Sequence, residues 1–172
     1  MWGGRMKKRF TFMMIVLVIL LTGCSENLKT EEMPDEMPED FGFSLFYGIN
    51  GARHIDTFHG EVTKDWLTEE KEVAHFELTQ EEKKAIYLKM KEVNVLKDFN
   101  IQNEESCSIG AERYTHWEIV MNQKVTVIQY QEYCEEVPED VQKLMDIERY
   151  VHELVSSKEA YQTLPEVGDP YE

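Results

Sequence analysis

The sequence predicts an α+β domain, an antiparallel sheet of about five strands with two helices packed on one face. Three observations predict it. Phe41, Phe43, Leu45, Tyr47 and Ile49 alternate with Gly42, Ser44, Phe46 and Gly48, and the run leads into Asn50-Gly51, the strongest short hairpin signal. Thr79-Gln80-Glu81-Glu82 has the spacing of a capping box and opens a run of helical period. Pro138-Glu139-Asp140 opens a second such run after two more strand patterns. Strands joined by short turns, with helices set between groups of them, make an antiparallel sheet covered on one side.

The elements follow in order. The first strand covers residues 41–49 and the second about 53–62, where Lys64-Asp65 ends it; a third is expected over 72–78. The first helix runs to about Val93, with Ala85, Ile86, Met90 and Val93 on one face. Acids in its first turn and Lys89 and Lys91 near its end suit the helix dipole. Strands at about 113–121 and 124–133 join through Asn122-Gln123. The last helix repeats Val141, Leu144, Met145, Ile147, Val151, Leu154 and Val155 to about Ser157. In the tail, Tyr161 and Leu164 are expected to pack against a sheet edge. Residues 41–172 therefore read as a single domain.

Residues 1–23 read differently. Lys7, Lys8 and Arg9 precede an apolar run at 10–21 interrupted only by Thr11, which is too short to span a bilayer comfortably and suits a secretory leader. Translation could start at Met1 or at Met6, since Met6-Lys7-Lys8-Arg9 is a typical leader opening. The run ends in Leu21-Thr22-Gly23-Cys24. Small residues at 22 and 23 let an extended chain enter a peptidase groove, and the thiol of Cys24 can take a diacylglyceryl group as a thioether. This segment resembles the lipobox of bacterial lipoproteins, with Leu21, Thr22 and Gly23 as the signal-peptidase recognition residues. The resemblance implies cleavage before Cys24, lipid on that cysteine at the extracytoplasmic face of the cell membrane, and leaves N-acylation of the new amine open. Each buried acyl methylene contributes roughly 0.8 kcal/mol, so two chains anchor firmly. Residues 24–40 then form a lipidated tether; from 25 onward it holds seven acids, two prolines and no apolar period, and is expected to be disordered.

The body adds a second resemblance. Thr57-Phe58 with Thr63-Lys64-Asp65, Phe76-Glu77-Leu78-Thr79 with Glu81-Glu82, Ile86-Tyr87 and Lys89-Met90, and the ending Lys158-Glu159-Ala160-Tyr161 with Leu164-Pro165-Glu166 are similar to segments of small uncharacterised lipoproteins of Gram-positive, Bacillus-like bacteria. Near the end, Val167-Gly168-Asp169-Pro170 departs from the glycine pair that the resemblance leads one to expect. It implies a membrane-tethered lipoprotein and carries no activity across.

Charge and chemistry narrow the function. The chain holds 34 acidic and 18 basic residues, a net charge of −16, and losing the leader with its four basic residues takes it to −20. Such a surface repels nucleic acid and anionic headgroups and favours cationic partners or cations. Beyond Cys24 two cysteines remain, Cys107 and Cys134, flanking the 113–133 hairpin. Outside the cytoplasm they are expected to form a disulfide, worth roughly 3–4 kcal/mol in the chain-entropy account. His54, His59, His75, His116 and His152 show no HExxH or other zinc spacing; His54 and His59 have opposite parity on one strand and should face opposite ways, and His75 and His116 could sit on neighbouring strands. No phosphate-cradling glycine loop or GxSxG elbow occurs, and Gly48, Gly51, Gly60 and Gly110 read as turn residues. Trp66, Trp117 and Tyr114 read as core before ligand groove. No catalytic residue, metal ligand or cofactor is assigned. The expectation is a non-enzymatic, membrane-anchored binding or interaction module with a protein or envelope partner. A small-ligand or cation-binding lipoprotein and an envelope metal-dependent hydrolase are the alternatives.

Overall fold

A computed structural model describes residues 31–65, 67, 69, 71–99, 101, 113–131, 133 and 136–166. The leader, the Leu21-Thr22-Gly23-Cys24 box, residues 25–30, Trp66, Gly110 and the expected Cys107–Cys134 bond lie outside them. The chain divides into two units, Met1–Thr30 and Glu31–Glu172, and every described residue belongs to the second.

Its elements are β1 (Gly42–Tyr47), β2 (Arg53–Asp56), β3 (Glu61–Thr63), β4 (Ala74–His75), α1 (Gln80–Val93), β5 (Tyr114–Met121), β6 (Lys124–Gln131), α2 (Glu139–Ser156) and α3 (Glu159–Gln162). The strands form one sheet in the order β4-β3-β2-β1-β5-β6, and every pairing is antiparallel. The α+β class thus stands, with six strands and three helices among the described residues.

Strand alternation builds the core. Ala74, Val62, Ile55, Leu45, Trp117 and Ile128 stand in register across all six strands. Leu45 and Ile55 are fully buried in that row, and burying such a side chain contributes about 1.5–3 kcal/mol. The two long helices cover this face. Helix α1 buries Ile86, Tyr87 and Met90 on it, and α2 buries Val141, Leu144, Ile147, Val151 and Val155 at helical spacing. The capping box forms as the sequence predicts: Glu82 N–H donates to Thr79 Oγ1 at 3.2 Å and Thr79 N–H to Glu82 Oε2 at 2.8 Å. Tyr161 and Leu164 are buried, and α3 packs by the edge strand β4.

Local chemistry moves several boundaries. The second predicted strand breaks into β2 and β3 because the Asp56 carboxylate accepts the N–H groups of Phe58 and His59, at 2.7 and 3.2 Å, and turns the chain there. Gly60 completes the turn at φ 65°, where a Cβ would meet Phe76 O at 2.8 Å. Asn50-Gly51 lies within a five-residue connection, since Tyr47 already pairs with Arg53, and Ile49 bridges to Arg113. The third strand shortens to two residues.

The largest correction concerns residues 31–40, expected as the disordered end of the tether. They are docked on the body. Met33 is only 6% exposed within the core cluster, and Met37 is partly buried beside it. Asn94 closes α1 in the left-handed region (φ 54°); its Nδ2 donates to Glu31 O, and its Oδ1 accepts from Met33 N–H. Tyr87 donates its hydroxyl proton to Pro34 O at 2.7 Å, and Lys91 pairs with Asp35. Acidic composition argued for disorder, but two methionines supply apolar anchors and the end of α1 supplies partners for the backbone.

Asp40 ends this segment with a structural task. Its carboxylate accepts the amides of Gln123 and Asn122 at 2.7 and 2.9 Å, and these bonds hold it below the usual carboxylate range. Both turn residues have left-handed backbone, φ 51° at Asn122 and 63° at Gln123. Glutamine tolerates that region poorly. Gln123→Gly is therefore expected to raise stability by about 0.5–1 kcal/mol in urea unfolding; an unchanged or lower midpoint would show an unstrained turn.

Candidate functional site: a basic pocket at one end of the sheet

At the end of the sheet where β1 finishes and β2 begins, one cavity of about 260 Å³ is lined by Arg53, Lys64, His152, Tyr161 and Glu166. Register explains the grouping. Arg53 pairs with Tyr47 and so points to the helix side of β2. Lys64 follows Thr63, which pairs with His54, so Lys64 comes beside Arg53 on the same face. His152 is on α2, next to the buried Val151, and Tyr161 is on α3.

Lys64 is 8% exposed, and its ammonium donates to Leu164 O at 3.0 Å and to Glu166 Oε1 at 2.6 Å. It also stands 5.0 Å from the centre of the Tyr161 ring. Glu166 is its mirror image in exposure: the side chain is 91% exposed, and Lys64 holds its carboxyl below the usual range. Tyr47 Oη lies 2.8 Å from His152 Nδ1. Burial pushes the Tyr47 hydroxyl far above its usual value, so it keeps its proton. Burial, then the nearby Arg53 guanidinium, pushes His152 down, favouring the neutral ring. Nδ1 is the one partner shown for the retained Tyr47 proton; assigning Tyr47 as the donor puts the ring N–H of the neutral imidazole on Nε2. The pocket is thus a set of N–H donors on Arg53, Lys64 and His152, with Glu166 as the one carboxylate among its lining residues. It suits an oxyanion, within a chain whose net charge is −16.

Sequence reading missed this set because its members are far apart and individually ordinary; Lys64 and Glu166 are 102 positions apart. Lys158, just before α3, donates through Nζ to both Glu82 oxygens, at 2.6 and 2.7 Å.

The remaining histidines are on or beside the opposite face. His54 bonds Ser44 at 2.9 Å and stacks on Phe46 at 4.0 Å between ring centres. His116, on β5, contacts Tyr114 and Glu118. His75, on β4, pairs with Glu61 of β3, and three strands separate β4 from β5, so the neighbouring-strand arrangement of His75 and His116 does not occur. The His54 and His59 parity argument fails as well, since His59 is in the Asp56 turn and bonds that carboxylate. Among the described residues no three His, Cys, Asp or Glu side chains converge as a metal site. Trp117 is core at 2% exposure, whereas Tyr114 is on the face opposite the helices, beside His116. Compared with protein-family models, curated proteins and solved structures, the chain matches none.

Proposed function

We propose that the chain is a lipoprotein of the cell envelope, cut before Cys24, held by acyl chains on that thiol at the extracytoplasmic face of the cell membrane, and that its body is a non-catalytic binding module. The single observation that carries the reading is the ordered series of basic residues 7–9, apolar run 10–21 and Leu21-Thr22-Gly23-Cys24. The second resemblance, to small lipoproteins of Gram-positive bacteria, supports the same placement. No helix among the described residues is long and apolar enough to cross a membrane. The binding-module half rests on the pocket, whose donors suit holding a ligand better than transferring a proton.

The test is metabolic labelling with a fatty-acid analogue in a bacterial host. The native chain is expected to take up label and to sediment with membranes. Cys24→Ser is expected to lose the label and accumulate unprocessed. Labelling and processing unchanged in the serine variant would sink the reading.

The small-ligand version has a specific observation in its favour, the 260 Å³ cavity. The same cavity turns the expected cargo around, because net charge pointed to cations whereas the local charge is basic.

A further inference from the structure

We infer that the Arg53–Lys64–His152 pocket is a binding site for a small organic carboxylate, and that Glu166 occupies part of it as an internal stand-in for the ligand. The inference rests on reading the body as a binding module and is independent of the anchor.

The argument starts from Lys64. An ammonium buried to 8% exposure requires a counter-charge, and Glu166 supplies it at 2.6 Å. That carboxylate is a weakly committed partner: its side chain is 91% exposed, and it comes from the segment after α3. A carboxylate this exposed keeps most of its hydration and holds the pair weakly from its own side. A free carboxylate can therefore take the place of Glu166 at little cost. Arg53 adds a second positive charge, which also helps hold the Glu166 carboxyl down, after Lys64. Its guanidinium faces the same cavity and makes no hydrogen bond or ion pair with a described residue, although a fork of this shape binds carboxylates in pairs of bonds. His152 adds a third direction through Nε2–H, fixed by the Tyr47 contact at Nδ1. Tyr161 provides an apolar wall, with its ring edge-on to His152 at 5.9 Å. The volume is near the lower end for ligand sites, which limits the occupant to a few carbons. A lone carboxylate satisfies Lys64 or Arg53; a dicarboxylate satisfies both.

The test is calorimetric titration of the full chain, purified in a non-ionic detergent, with succinate, citrate and inorganic phosphate, and with chloride as control. Saturable binding of succinate or citrate, absent with chloride, is expected. Arg53→Gln changes an exposed residue and is expected to abolish that binding with an unchanged melting temperature. Glu166→Gln removes the internal competitor and is expected to tighten binding about fivefold, the factor a surface ion pair allows. This last readout separates the proposal from a purely structural tail clamp, in which Glu166→Gln lowers the melting temperature and leaves anion binding unaltered. No saturable carboxylate binding by either the native chain or Glu166→Gln, or equal binding in Arg53→Gln, overturns the inference while leaving the lipoprotein reading intact. Binding of phosphate alone overturns the carboxylate assignment. Binding accompanied by turnover keeps the site and removes the non-catalytic reading.

Discussion

Met33→Ala is expected to destabilise the body by about 2–3 kcal/mol, although Met33 lies in an acidic stretch with the composition of a linker. The side chain is 6% exposed and belongs to the same buried cluster as Phe41, Tyr87 and Met90. Truncating it removes three heavy atoms from that packing. The cost is placed at the low end for a methionine because the segment belongs to no helix or strand and can partly collapse into the gap. Two controls sharpen the measurement. Met37→Ala, at a partly buried neighbour, is expected to cost less than half as much. Asn94→Gly keeps the left-handed helix end while removing the bonds to Glu31 and Met33, and is expected to cost about 1 kcal/mol. Urea unfolding reads all three. A Met33→Ala midpoint equal to the native one would show that residues 31–40 contribute nothing and that the domain begins at Phe41.

That expectation marks where sequence reading stopped. Helix α1 was legible because its start is local: Thr79 and Glu82 are three residues apart and each satisfies the other's backbone. The β5–β6 hairpin was legible because buried Trp117, Ile119 and Met121 alternate without a break. The split between β2 and β3 was not, since Asp56 occupies an outward strand position and only its bonds to Phe58 and His59 reveal a turn. The docking of 31–40 was hidden by composition, because acids outnumber the two methionines that do the packing. The pocket was hidden by distance along the chain. Arg53, Lys64 and Glu166 each look like a solvated surface charge, and antiparallel register is what brings the first two together. His152 carried a faint signal, as its place between Val151 and Val155 puts it at the margin of the buried stripe of α2.

The second large effect is expected at Glu148, which fixes α2 to the sheet. Glu148 Oε2 accepts from Thr115 Oγ1 and from Tyr130 Oη, both at 2.8 Å. The two donors are 5% and 3% exposed. Burial first, and the Glu148 charge second, push the Tyr130 hydroxyl far above its usual value, so it remains a donor. Glu148→Leu removes one acceptor and orphans two buried hydroxyls, which is expected to cost about 2–4 kcal/mol. If orphaning is the cause, adding Thr115→Val and Tyr130→Phe should recover most of the loss, because an apolar replacement of all partners leaves nothing unpaired. Glu148→Gln keeps an acceptor and is expected to cost about 1 kcal/mol or less. The consequence reaches the pocket, since His152 stands one turn further along the same face of α2. Glu148→Leu is therefore expected to shift the His152 ring signals in NMR spectra, and the triple variant to restore them. A Glu148→Leu chain as stable as the native one, with unmoved His152 signals, would mean that the apolar stripe alone sets the position of α2 and that this polar contact is incidental.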